Sequence, residues 1–246
     1  MAQRLPHTNL IPGSIPTAVL VCGDPARAAK IAGRLDEHNL LAEQREYHTY
    51  VGVKNGRSLT ITSHGIGAPG AAIAFEELIA AGAQQIIRVG TCGSMQPEVK
   101  PGHLVIASAA VQNTGYGREV VPEGYPAVAD ADLLLALKQT ASRRQQFAHT
   151  GIVLTRDAFF NIITHPQTPD YGRLAQANVL AVEMECAALF LIGSLRGVQT
   201  AAILAVNGSV LEESEGMDVF VDYEAEAKTA VDAAIDVALN VLVKSE

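Results

Sequence analysis

The 246-residue sequence is poor in three things: cysteine, positive charge and long apolar runs. Cys22, Cys92 and Cys186 are far apart, odd in number, and spaced neither as a disulfide framework nor as a zinc site. They read as small buried hydrophobes of a protein kept in a reducing compartment. No apolar run approaches the ~20 residues of a membrane-spanning helix. The opening MAQRLPHTNLIPGSIP has too much proline and polarity for the centre of a signal peptide. A cytoplasmic protein with no membrane partner is expected. Eighteen Lys and Arg against 26 Asp and Glu leave a net charge of −8, which argues against a nucleic-acid-binding surface. If such a chain binds an anion, its few cations must be gathered at the site, because the overall field gives no help.

What is present is ample core material, 48% hydrophobic residues with 18% charged. Apolar strands alternate with helical patterns. Residues 17–22 (TAVLVC) precede a helix-like ARAAKIAGRL, and YHTYVGVKNGRSLTITS reads as a hairpin turning at Asn55-Gly56. HGIGAPG leads into the helix AAIAFEELIAAGA, followed by the strands QQIIRVG and LVIASAAV. After an irregular NTGYGREVVPEGYP come a helix over DADLLLALKQTASRR, a strand HTGIVLTRD and a loop FFNIITHPQTPDYGR. VLAVEME passes from strand to helix, TAAILAVNGS is the last clear strand, and EAEAKTAVDAAIDVALNVLV closes the chain at helical spacing. The order predicts an α/β fold, a three-layer α/β/α sandwich around a central mixed β-sheet. With no repeat, linker or low-complexity tract, residues 1–246 are expected to form one domain.

Residues 65–70, Gly-Ile-Gly-Ala-Pro-Gly, match the GxGxxG dinucleotide fingerprint. That site also needs an acidic residue at the end of the next strand, where IIRVGT supplies a cation and a threonine, and its proline removes a backbone N–H. A tight turn at a site wall is the better reading. Arg27 follows the Gly23-Asp24-Pro25 turn, Arg45 precedes a strand, and Arg88 interrupts the apolar Ile86–Gly90. Each could be a surface cation or an ion-paired residue. A guanidinium inside an apolar strand is costly unless paired, and the guanidinium fork suits a phosphate. Thr91 with Gly90 and Gly93 could add neutral donors. Glu183 and Glu185 bracket Met184 at a strand end, placed either to accept from sugar hydroxyls or to favour a helix start. Asn207-Gly208 ends the last strand, where α/β folds tend to place sites, or is a plain turn. No metal-ligand cluster is seen.

Taken in order, Gly23-Asp24-Pro25-x-Arg27, Arg45-Glu46-Tyr47, His64-Gly65-Ile66-Gly67, Arg88-Val89-Gly90-Thr91-Cys92-Gly93 and Val182-Glu183-Met184-Glu185 resemble the nucleoside phosphorylases of the hexameric purine and uridine type. A further likeness lies at Tyr125-Pro126-Ala127-Val128. The resemblance implies a pentosyltransferase without cofactor that uses inorganic phosphate as co-substrate. It implies a phosphate site of Gly23, Arg27, Arg45, Arg88 and Thr91. His7, Met184 and Glu185 would hold the ribose, His7 reaching a neighbouring subunit. Cys92, Gly93, Phe159, Val182, Glu183 and Asn207 would surround the base. Arg88, Glu185 and Asn207 would carry the catalysis. A homo-oligomer, a hexamer built of dimers with shared sites, is implied as well.

Departures from the family pattern concern the base. Many purine enzymes of this kind carry Ser-Asp after the last strand, uridine enzymes Asn-Arg, with a Gln-x-Arg segment after the phenylalanine. Here the strand ends Asn207-Gly208-Ser209 and no Gln-x-Arg follows Phe159. Related apicomplexan purine enzymes have Asp-Gly, which puts Asn207 at the acid's position; a shift of one residue puts Gly208 there. The expectation is cleavage of 6-oxopurine nucleosides. The alternatives are a uridine phosphorylase, a methylthioadenosine-type nucleosidase, an NAD-binding Rossmann protein, or a non-catalytic homologue. Residues 211–222 are acidic and offer no arginine.

Overall fold

The computed structural model describes residues 3–160, 163, 165–211 and 224–243. Of the acidic stretch 211–222, residues 212–222 thus lie outside the described residues.

The chain opens with the buried strand β1 (Ala18–Cys22) and helix α1 (Pro25–Ala32), followed by β2 (Glu37–Gln44), β3 (Tyr47–Lys54) and β4 (Arg57–Ser63). Asn55 and Gly56 both take positive φ, 51° and 76°, as a two-residue hairpin turn with the strands' own twist requires. Helix α2 (Ala68–Ala81) leads to β5 (Gln85–Ser94), β6 (Leu104–Asn113), α3 (Gly115–Val120), the short β7 (Ala127–Val128) and α4 (Ala131–Arg143). Then come β8 (Ala148–Arg156), α5 (Tyr171–Gln176), β9 (Val179–Glu183), α6 (Cys186–Arg196), β10 (Gln199–Ser209) and α7 (Glu224–Leu242).

These strands form one mixed sheet in the order β10-β6-β8-β9-β5-β1-β4-β3-β2, with β7 on β6. Helices cover both faces, as an α/β sandwich demands. Phe75 and Leu78 of α2 join Phe190 and Leu191 of α6 in one core; Ile31, Leu137, Ile235 and Leu239 from α1, α4 and α7 fill the other. Strand β10 also pairs with β5 along its length, so β5, β10, β6, β8 and β9 close on one another as a small barrel. Closure lines up Leu154, Val182, Gly93 and Gly208 in a single row across four strands. The register slips between Val206 and Gly208, leaving Asn207 as the extra, bulged residue. Bulges re-aim side chains at barrel rims. No helix among the described residues is long and apolar enough to cross a membrane.

Candidate active site

Where the ends of β1, β5, β8, β9 and β10 converge, a cavity of about 1050 Å³ opens. Its walls include Gly23, Arg27, Arg88, Thr91, Cys92, Gly93, Phe159, Val182, Glu183, Met184, Glu185 and Asn207.

At one end, the Gly23-Asp24 turn is tight: a Cβ on Gly23 would lie 3.1 Å from the Gly65 carbonyl. Asp24 caps α1 by accepting from the N–H groups of Ala26 and Arg27 at 2.9 and 3.2 Å. The cap leaves the Arg27 guanidinium half-exposed in the cavity wall, with no hydrogen bond or ion pair among the described residues. Arg88 is buried, and its Nη2 donates to the carboxylates of Glu185 and, at 3.3 Å, Glu183. Desolvation opposes its charge, but the facing carboxylates, Glu185 foremost, prevail and raise its pKa. The side chain folds back over its own strand. A Cβ on Gly90 would sit 2.3 Å from Nη1, so only glycine leaves this space.

The two carboxylates do different work. Glu183 accepts from Thr155 Oγ1 at 2.5 Å and from the backbone N–H groups of Glu185 and Cys186, at 2.7 and 2.9 Å through Oε2. It satisfies the start of α6, the helix-start role open to this pair of acids. Glu185 takes Arg88 on one oxygen and the Gly67 N–H on the other, at 2.6 Å. Burial raises its carboxyl pKa, against the pull of Arg88. Met184 lies half-buried between them. The bond from Gly67 also disposes of the dinucleotide reading, since the N–H that would meet a pyrophosphate is spent on a carboxylate.

At the other end the wall is apolar, with Cys92, Val182, Phe159, Phe160 and Val210, and Asn207 enters from the β10 bulge. Gly93 must lack a side chain, as a Cβ would meet Val210 Cγ1 at 2.6 Å. The cysteine thiols are all buried and free, and burial pushes Cys22 up to about 12 and raises Cys92 and Cys186 well above the usual thiol range. None is a thiolate nucleophile at neutral pH. Among the described residues no group of His, Cys, Asp or Glu could hold a metal ion.

Two predicted residues stand outside this cavity. Arg45 is exposed at the turn between β2 and β3, with φ 54°, while its neighbour Glu46 lines the cavity. His7 is tied to Glu77, which accepts from His7 and Thr8. The Gln44 amide donates to the Pro6 carbonyl at 2.9 Å, so the His7 segment and Arg45 share one outer flank. Conversely, Glu46, Arg156, Phe160 and Tyr171 line the cavity and were not singled out from the sequence. Arg156 closes β8 just before Asp157, a pairing that reads as a surface turn and gives no signal of burial.

Residues 17–243 match the family model described as the phosphorylase superfamily. The chain belongs to that family. It is 39% identical over 236 residues to a uridine phosphorylase of Treponema pallidum, covering 92% of each chain. It is 35% identical to a guanosine phosphorylase of Halorubrum lacusprofundi, covering 98% of each. Among solved structures it superposes on the purine nucleoside phosphorylase of Toxoplasma gondii, bound to immucillin-H, with a TM-score of 0.87 and 32% identity over 97% of this chain and 95% of that one. The protein is thus a nucleoside phosphorylase, a pentosyltransferase acting on a nucleoside and phosphate. Relatives of similar identity carry purine, guanosine and uridine in their names.

Proposed function

We propose that the protein, acting as one domain, cleaves 6-oxopurine nucleosides with inorganic phosphate to free base and ribose 1-phosphate, without a further cofactor. The observation that carries this reading is the juxtaposition, in one cavity, of Arg27, a cation with no partner among the described residues, with a buried guanidinium, Arg88, already bonded to Glu185. Gly23, Arg27, Arg88 and Thr91 hold phosphate, Met184 and Glu185 the ribose, and Cys92, Gly93, Phe159, Val182 and Glu183 enclose the base. Glu183 does so as part of the wall, since its oxygens serve α6. Phosphate held against the anomeric carbon supplies both the nucleophile and the charge that stabilises a cation-like sugar. Glu185 exchanges its bond from Arg88 for bonds from the ribose hydroxyls, which frees Arg88 for phosphate. Arg45 and His7, outside their own cavity but on one flank, complete the phosphate and ribose sites of a neighbouring copy in a dimer-based hexamer.

Base choice follows from Asn207. Its amide can hydrogen-bond the N7/O6 edge but cannot protonate N7 as a carboxylic acid would. Adenosine, whose departure gains more from an acid, is the poorer substrate. The test is base release from inosine, guanosine, adenosine and uridine with and without phosphate, by wild type and Asn207→Asp. Wild type should favour inosine and guanosine in phosphate, and the variant should shift the adenosine-to-inosine ratio upward by ~10-fold or more, short of the full ~10²–10⁴ that general acid catalysis can supply. An unchanged ratio would move the role to Gly208's position; uridine as the best wild-type substrate would favour the pyrimidine reading.

A further inference from the structure

Arg156 has no part in the roles above. It ends β8 one residue beyond Thr155, whose partner on β9 is Glu183. From β1 through β5 and β9 to β8 is three steps across the sheet, ~14 Å at ~4.8 Å per step. Arg27 and Arg156 are therefore cations at opposite ends of one cavity. Arg156 is only 3% exposed, donates from Nη1 to the Tyr171 hydroxyl, and lies with its guanidinium carbon 5.5 Å from the centroid of that ring. A guanidinium so buried is held in place by its partners rather than by solvent. Phe159, Phe160, Val182 and Val210 wall the same end. In such low-polarity surroundings a fixed cation acts strongly on any charge that develops beside it.

We propose that Arg156 stabilises the negative charge of the departing base and so selects bases whose anion carries that charge on a carbonyl oxygen. The inference rests on the reading that the base occupies this apolar end. As a phosphate oxygen bonds to C1′, the C1′–N9 bond breaks and its electron pair passes into the purine, where N7 and O6 share it. A guanidinium N–H donates to O6, the base leaves as an anion, and water supplies its proton afterwards. No carboxylic acid is then needed, which suits an asparagine at 207. The Tyr171 hydroxyl, by accepting from Nη1, fixes the fork. An adenine amino group in the place of O6 would present N–H against N–H.

The experiment compares inosine with 7-methylinosine, whose base departs without acquiring net negative charge, using wild type, Arg156→Gln and Arg156→Lys. Arg156→Gln should lose ~100-fold or more in kcat/KM on inosine, as for removal of one electrostatic donor, yet keep 7-methylinosine within about fivefold. The KM for phosphate should not move, and Arg156→Lys should regain part of the loss. Because 7-methylinosine is cleaved by the same preparation, a folding defect cannot mimic this pattern. Equal losses on both substrates would overturn the proposal in favour of a packing role, and so would an unchanged inosine rate. Failure of wild type to cleave inosine in phosphate would overturn the underlying reading as well, and is seen without any variant.

Discussion

Arg88→Ala is expected to abolish phosphate-dependent cleavage and to cost the fold several degrees of melting temperature. The guanidinium is the only partner within ion-pair distance of Glu183 and Glu185 among the described residues, and the three side chains are at most 7% exposed. Removing one partner from a buried ionic group costs ~3–5 kcal/mol because the opposite charge is left stranded. For a chain of this size that is on the order of 10 °C. Catalytically, the loss of one preorganised donor is worth ~10²–10³ in rate, and in the proposed function the same group also serves phosphate binding. The pH dependence has a definite sign. Burial and the neighbouring Glu183 push the Glu185 carboxyl up while Arg88 pulls it down, so without Arg88 the folded variant binds more protons at Glu185 than the unfolded chain. Its stability deficit should therefore shrink as pH falls from 8 towards 5. Thermal denaturation at several pH values, with initial rates on the same samples, checks both halves. A deficit that grew on acidification would contradict the buried triad.

The second large effect is expected of the smallest change, Gly90→Ala. Gly90 has no positive φ, so the backbone accepts alanine without strain. What the methyl group meets is the Arg88 guanidinium, at 2.3, 2.6 and 2.7 Å from Nη1, Cζ and Nη2. The guanidinium must swing away and lose its alignment with Glu185. A displacement of about 1 Å in a catalytic group can cost ~10²-fold, so kcat/KM for phosphate should fall by that order. The charge remains in the molecule, so Gly90→Ala should be the less destabilised of the two variants. A melting temperature as low as that of Arg88→Ala, or wild-type activity, would count against the folded-back geometry.

How far the sequence carried depended on whether an element announces itself by burial. Strands β1, β5 and β10 are almost wholly buried, and their apolar runs stand out. Strand β2 does not: it lies at the sheet edge with only Ala42 buried, and EHNLLAEQ shows no apolar face. The six-residue helices α3 and α5 fell in stretches read as irregular or loop. They are held by caps, Thr114 accepting from Gly117 and Asp170 from Arg173, rather than by an apolar stripe. Barrel closure was also hidden, because pairing between β5 and β10 joins residues more than 100 positions apart and leaves no local pattern.

The site divides in the same way. Arg27, Arg88 and Glu185 were legible because glycine-rich turns or an apolar strand set them apart, and all three line the cavity. Glu183 looked equivalent to Glu185, and only the hydrogen bonds reveal that its carboxylate belongs to α6. Arg156 was hidden because an arginine followed by aspartate at a strand end reads as a surface turn. Arg45, though part of a motif, and His7 stand outside the cavity, which no local sequence pattern announces.

The claim on which the rest depends is that phosphate is bound at the Arg27 end, apart from the nucleoside. Arg27 tests it most directly because its guanidinium holds nothing else in place among the described residues. The measurement is the initial rate of inosine cleavage by Arg27→Ala, with phosphate and inosine varied independently. The KM for phosphate should rise ~10-fold or more, as for loss of a charged hydrogen bond, while that for inosine changes less than about twofold. An unchanged phosphate KM, or an equal rise in both, would contradict the account.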